Sequence, residues 1–306
     1  MRPLRGIALK IASVCVFVSM AALVKATSGH VPPGEAVFFR SLFAIPVILA
    51  WLLWRGELGT GLVTQNPMGH LWRGLVGTTA MGLGFAALGL LPLPEVTAIG
   101  YAAPLLVVIL AAMFLGETVR VYRLSMVGLG MGGVLIVLAP RLAIDPATAD
   151  MAQTLGAVLT LMSALCAALA QVFVRKLVQT ESTSAIVFYF SVTATCLSLL
   201  TLPWGWVLPT GGELAMLICA GVLGGIGQIL LTSAYRHADA SLIAPFDYTS
   251  MLIAIAVGYV VFNEIPTGQT LIGGAIVVAA GVAIILRERQ LGLQRARQRR
   301  AMTPQG

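Results

Sequence analysis

Ala98-Ile99-Gly100-Tyr101-Ala102-Ala103-Pro104 and Pro245-Phe246-Asp247-Tyr248-Thr249-Ser250-Met251 are two versions of one passage. The first runs through an apolar stretch to Gly116-Glu117, the second through a similar stretch to Asn263-Glu264. An offset of 147 residues aligns Ala98 with Pro245, Tyr101 with Tyr248 and Glu117 with Glu264, and Gly133 meets Gly281 after a slip of one. Around these passages lie ten apolar segments, at 7–25, 35–54, 71–90, 95–115, 121–139, 154–174, 184–202, 213–232, 241–262 and 268–286. Each approaches the roughly 20 helical residues that cross a hydrocarbon core about 30 Å thick. Five spans per half make the second copy enter the membrane upside down. The expected fold is an all-α membrane protein, ten transmembrane helices as two inverted five-helix repeats. The repeats cover 7–139 and 154–286, joined by a linker over 140–153 on the outer, periplasmic side and followed by a basic cytoplasmic tail over 287–306.

Composition agrees with a lipid partner. Hydrophobic residues make up 58% of the 306 and charged residues 10%, with a mean hydropathy of +0.93. Soluble domains carry roughly 25% charged residues. The spans leave no room for a soluble catalytic domain. The net charge of +7 comes largely from the tail, where Arg287, Arg289, Arg295, Arg297, Arg299 and Arg300 follow the last span. This pattern anchors a helix end at the cytoplasmic face, and no aromatic or fold signature of nucleic-acid binding accompanies it. Cys15, Cys166, Cys196 and Cys219 all lie within spans, without a CxxC pair or metal-ligand spacing, and read as packing residues. No metal or cofactor is expected.

The Lys/Arg distribution orients the bundle. With the N-terminus inside, the cytoplasmic ends hold Arg2, Arg5, Lys10, Arg55, Arg73, Arg120, Arg123, Arg175, Lys176, Arg236 and the six tail arginines, sixteen in all. The outer side keeps Lys25, Arg40 and Arg141. The positive-inside rule then puts both termini in the cytoplasm. The first span, though preceded by basic residues, is long and lacks a clean cleavage motif, so it reads as a span rather than a secretory leader.

The two apolar spans that close on Leu115-Gly116-Glu117 and Asn263-Glu264, the first followed by a span bearing Gly128, Gly130 and Gly133, resemble the ten-span, two-EamA-domain family of the drug/metabolite transporter superfamily. The second copy departs from the pattern at Asn263, where the first has Gly116. The resemblance covers essentially the whole of residues 6–286. It implies a cavity lined by spans 1, 3, 4, 6, 8 and 9, with spans 5 and 10 peripheral. It also implies secondary transport of a small metabolite across the inner membrane, driven by a coupling proton, another ion or exchange. Residues 31–41 and 90–101 look like the riboflavin-uptake branch, which makes riboflavin the lead substrate. Export of amino acids or drugs is the runner-up. A channel, a receptor and a membrane enzyme stand behind both. No Walker A loop, G-x-S-x-G elbow or H-E-x-x-H motif occurs, so neither ATP hydrolysis nor familiar hydrolase chemistry is indicated.

Several residues stand out as candidates for substrate binding or coupling. Arg40 lies within span 2, where an unpaired charge costs at least a few kcal/mol. It reads either as a ligand for an anionic or carbonyl-rich substrate or as an ion-paired, snorkelling residue. Asp247, beside Pro245, reads as a proton carrier or polar contact, or as a partner of Arg236. Tyr101 and Tyr248 hold equivalent places and either sandwich a flat ligand or pack symmetrically. Gln171 and Gln228 hydrogen-bond a ring system or join helices. Pro104 and Pro245 break the interiors of spans 4 and 9 and are candidate hinges. Lys25, Glu117 and Glu264, at span ends, are candidate rim or gate residues. His30, His70 and His237 are expected in loops. Gly128/Gly132 and Gly221/Gly225 are GxxxG pairs suited to close helix approach.

Overall fold

The computed structural model describes residues 3–115, 121–141, 151–178, 180–237 and 244–302. Its elements, in chain order, are α1 (Pro3–Thr27), α2 (Pro33–Trp54), the single turn α3 (Leu58–Gly61), α4 (Pro67–Leu88), α5 (Leu93–Gly100), α6 (Ala102–Leu115) and α7 (Val121–Leu138). The second half supplies α8 (Met151–Leu177), α9 (Thr183–Leu199), α10 (Gly211–His237), a 3₁₀ turn (Ala244–Tyr248), α11 (Thr249–Phe262) and α12 (Gly268–Met302). Among the described residues there is no strand.

Among the described residues, seven helices are long and apolar enough to cross a membrane: Leu4–Thr27, Pro33–Trp54, Leu93–Phe114, Val121–Arg141, Met151–Val174, Gly211–Leu231 and Gly268–Arg287. Thr183–Leu199 and Phe246–Phe262 are apolar but shorter. The expected span 71–90 lies in α4, which has the length but carries His70 and Arg73. Large apolar side chains face outward over much of the surface, among them Leu53, Met113, Leu135, Leu252 and Val260, as lipid contact requires.

Turn chemistry sets the helix ends. Pro33, Pro67 and Pro94 sit in first turns, where a missing N–H costs nothing. Asn66 caps α4 by accepting the Gly69 N–H at 2.9 Å, and Ser182 caps α9 by accepting the Ala185 N–H at 3.1 Å. Asn263 ends α11 at φ 54°, in the left-handed region. Glycine and asparagine are the residues that occupy such a cap at least cost. This accounts for the asparagine that departs from the first copy.

Spans 4 and 9 are broken rods. Pro104 offers no N–H to the Gly100 carbonyl and crowds it, so α5 stops at Gly100 and α6 starts at Ala102, with Tyr101 between. Pro245 lies in the 3₁₀ turn that ends at Tyr248, and α11 begins at the next residue. Both interruptions fall on the aligned tyrosines, a turn beyond the proline in the second half and a turn before it in the first.

The packing also repeats. Glu35, Ala36, Arg40, Ser41, Ala44 and Ile48 are buried on α2; so are Ala185, Ile186, Phe190, Ser191, Ala194 and Ser198 on α9, each 150 residues further on. On α4, Gly74 packs on Thr193 and Gly77 on Phe190; on α10, Gly221 packs on Phe43 and Gly224 on Arg40. α1 runs along α10, α4 along α8, and α7 along α12. Of the GxxxG pairs, Gly221/Gly225 seats α10 against α2, with Val47 and the Ala44 carbonyl beside Gly225. At Gly128 and Gly132 no described atom lies within 4 Å of where a methyl group would stand; Gly130 and Gly133 make the close approach of α7 to α12 instead.

Candidate functional site

Several described charges are ion-paired, and two buried arginines are not. At one end of α1, Lys25 Nζ lies 2.9 Å from Glu264 Oε1 and donates to the carbonyls of Leu88 and Leu91 at 2.9 and 2.7 Å. Glu264 Oε2 accepts the Leu93 N–H at 2.8 Å, so the carboxylate also sits at the positive end of α5. This cluster ties α1, α4, α5 and the segment after α11 together. Lys25 is thus an ion-pair and carbonyl clamp. In the other half of α1, Lys10 Nζ lies 2.6 Å from Asp247 Oδ1. Lys10 is buried while the Asp247 side chain is half-exposed. Glu95 and Arg141 form a third, two-pronged pair at 2.6 and 2.9 Å, and Arg141 also contacts Gln153. The remaining linker residues 142–150, and Glu117, lie outside the described residues.

The two arginines are different. Arg40, the eighth residue of α2, is 4% exposed, about 10 Å along the helix from Pro33 at 1.5 Å per residue. Arg73 lies about 9 Å along α4 from Pro67 by the same measure. Both reach Phe190 of α9, with Arg73 Cζ 3.6 Å and Arg40 Cζ 5.8 Å from the ring centroid. The Nε of Arg40 and the Nε and Nη1 of Arg73 are buried without a hydrogen-bond partner, as are the hydroxyls of Ser41 and Thr78 on the same two helices. Seven acidic side chains are engaged elsewhere. Glu57, Glu95, Asp247 and Glu264 hold Arg55, Arg141, Lys10 and Lys25; Glu213 holds His30. Glu35 accepts the Val207 N–H, and Glu181 accepts those of Gln65 and Asn66.

An apolar cavity of about 330 Å³ opens between α1, α4, α5 and α8, lined by Ala80, Met81, Phe85, Leu88, Val96 and Ser163 among others. Its size suits a small organic molecule. Ala80 is about two turns along α4 from Arg73, and Leu88 carries one of the carbonyls that hold Lys25.

Among the other residues singled out from the sequence, Tyr101 and Tyr248 do meet. Their rings lie edge to face with centroids 5.0 Å apart, which leaves no slot for a flat ligand between them in this conformation. Tyr101 Oη is 2.5 Å from Ser250 Oγ, and Tyr248 Oη fits against Gly281, where any side chain would collide. Gln171 is exposed on α8, away from Gln228; Gln228 lines a separate, much smaller recess with Trp51 and Ser184. Asp247 pairs with Lys10. His70 is not in a loop. It lies in the first turn of α4, buried, 4.9 Å from the Tyr189 ring and 3.4 Å from Glu181 Oε2; His237 closes α10. Cys15, Cys196 and Cys219 face outward rather than pack inside.

Arg73 is the residue sequence reading missed. Starting span 3 at residue 71 put it at a cytoplasmic end; the Asn66-Pro67 cap, a helix-start signal, moves it more than a turn inside.

Apolar helices with outward-facing side chains, broken rods and a charged interior define a multi-pass membrane protein. Residues 4–139 and again 154–287 match the EamA-like transporter family, and the chain belongs to that family. It is 33% identical to a pseudopaline exporter of Pseudomonas aeruginosa, over 91% of this chain and 95% of that one. It is 29% identical to an S-adenosylmethionine uptake transporter of Rickettsia bellii, over 84% of each chain, and 28% identical to a riboflavin transporter of Rhizobium johnstonii, over 84% and 82%. A crystal structure of a protein 22% identical superposes with a TM-score of 0.66, over 95% of this chain and 99% of that one; this likeness concerns the fold.

Proposed function

We propose that this protein is a secondary-active transporter of a small metabolite, working by alternating access in the inner membrane. Ten spans would form two inverted five-helix repeats, 7–139 and 154–286, with the linker 140–153 outside and both termini, including the tail 287–306, in the cytoplasm. The burial pattern that recurs at 150 residues supports this reading, as do the matched glycine contacts of α4 with α9 and of α10 with α2. Lys10 and Lys25, on α1, are each ion-paired to the rod formed by the 3₁₀ turn, α11 and the segment after it, while Arg40 and Arg73 have no ion pair among the described residues. This single contrast carries the proposal. Lys25–Glu264 and Lys10–Asp247 would act as gates that break alternately, with Glu117 a rim residue of the opposite face. Tyr101 and Tyr248, at the interruptions beside Pro104 and Pro245, would be the hinges.

Uptake of riboflavin is the reading favoured by the sequence pattern and by the name of one set of relatives. Proteoliposomes holding the purified chain, given labelled riboflavin with and without a pH gradient, test it. Saturable accumulation is expected, and its absence shifts the reading to export of amino acids or drugs. The higher identity to the pseudopaline exporters favours this second reading, and counterflow from preloaded vesicles tests it.

A further inference from the structure

We propose that Arg40, Arg73 and Phe190 form a buried anion site that binds a carboxylate group of the transported molecule. The inference rests on the transporter reading and narrows its substrate to carboxylate-bearing organic anions.

Two guanidinium groups share one aromatic ring in the interior. A buried cation is tolerated in a membrane bundle when a carboxylate, a carbonyl or water compensates it. Here three guanidinium nitrogens are buried with no acceptor among the described residues, and the seven carboxylates with described contacts are engaged elsewhere. A carboxylate carried by a ligand fits this deficit. The ring contributes a face over which the Arg73 guanidinium sits, with Cζ 3.6 Å from the centroid, and the fork of N–H groups suits two parallel hydrogen bonds to a carboxylate.

The internal repeat strengthens the assignment. Arg40 and Phe190 occupy matching positions 150 residues apart on α2 and α9, and Arg73 matches Ala220 at the offset of 147 that pairs Gly74 with Gly221 and Gly77 with Gly224. The scaffold repeats while the charge does not. A cation needed only for packing would have a counterpart of like chemistry in the second copy. The glycines keep the space: a methyl group on Gly77 would come within 3.0 Å of Arg73 Nη1 and of the Phe190 ring, and one on Gly224 within 3.0 Å of Arg40 Nε. The apolar cavity two turns along α4 accepts the rest of the molecule. Neutral riboflavin uses neither positive charge fully, so an acidic ligand should outcompete it.

The test is ligand-dependent thermal unfolding of the purified full chain with citrate, L-glutamate and succinate, against riboflavin and sodium chloride at matched ionic strength. At least one carboxylate should raise the unfolding temperature saturably. Arg40→Gln and Arg73→Gln should each weaken that binding about tenfold or more, while both raise the unfolding temperature of the ligand-free chain by removing an uncompensated charge. Arg55→Gln, at a pair outside this site, should bind like the parent. Saturation by chloride alone, equal carboxylate binding in the Arg→Gln variants, or no response to any carboxylate overturns the proposal. Carboxylate binding that depends on both arginines, without flux across sealed proteoliposomes, would overturn the transporter reading and leave the anion site standing. Flux indifferent to both arginines would do the reverse.

Discussion

Helix α1 and the contact of α2, α4 and α9 treat buried charge in opposite ways. On α1, Lys25 and Lys10 each have a carboxylate within 3 Å. At the contact of α2, α4 and α9, Arg40 and Arg73 have a phenyl ring and, among the described residues, no carboxylate. A paired charge in low dielectric is held in place; an unpaired one is stored cost, recovered when something binds. The comparison separates residues that hold the helices together from residues that wait for a ligand.

The largest effect should come from breaking the better buried pair. Lys25→Met leaves Glu264 without its cation and frees two carbonyls. It should cost about 3 kcal/mol in thermal or denaturant unfolding, and Lys25→Met with Glu264→Gln should recover much of the loss. Equal cost in the single and double variants would mean that the pair itself contributes little. Next comes the ring between the arginines. Phe190→Leu should lose roughly 2 kcal/mol, the scale of desolvated cation–π contacts, and should abolish any difference in ligand binding between Arg73 and Arg73→Gln chains. A smaller change is expected in the other half of α1. Asp247 is half-exposed, so water screens the pair, and Asp247→Asn should cost at most about 1 kcal/mol while altering transport more than stability. The smallest effect is pH-dependent and lies outside the spans. Burial alone would push the Glu181 carboxyl up, but the N–H groups of Gln65 and Asn66, with His70 and Thr64, hold it below its ordinary value of 4.5. A depressed carboxyl stabilises the fold above its unfolded value and loses that contribution as pH falls further. The stability gap between parent and Glu181→Gln should therefore be full near neutrality and narrow below about pH 4.5.

Much of the fold was legible because lipid imposes simple rules. Membrane-length apolar runs located the rods, with starts that agree at Gly268 and Val121, whereas α4 starts at Pro67, before the expected 71. The equivalence of Tyr101 and Tyr248 was also visible in the sequence. The interruption of span 4 falls one turn before Pro104, since a missing N–H is felt at the carbonyl of Gly100. The offset of 150 between α2 and α9 was hidden, because apolar side chains substitute freely at equal burial and only contacts reveal the match. Arg40 was singled out by its depth, but its relation to Arg73 and Phe190 was invisible: three helices distant in sequence bring them together.

Sequence by itself determined that this chain is an all-helical membrane protein with a doubled pattern, because apolar length, proline position and charge scarcity act locally and need no partner. Tertiary structure alone decided which charges are neutralised. Lys25 and Lys10 found carboxylates across helices and Arg40 and Arg73 did not, since an ion pair depends on distances of a few ångströms between segments that the order of residues leaves open.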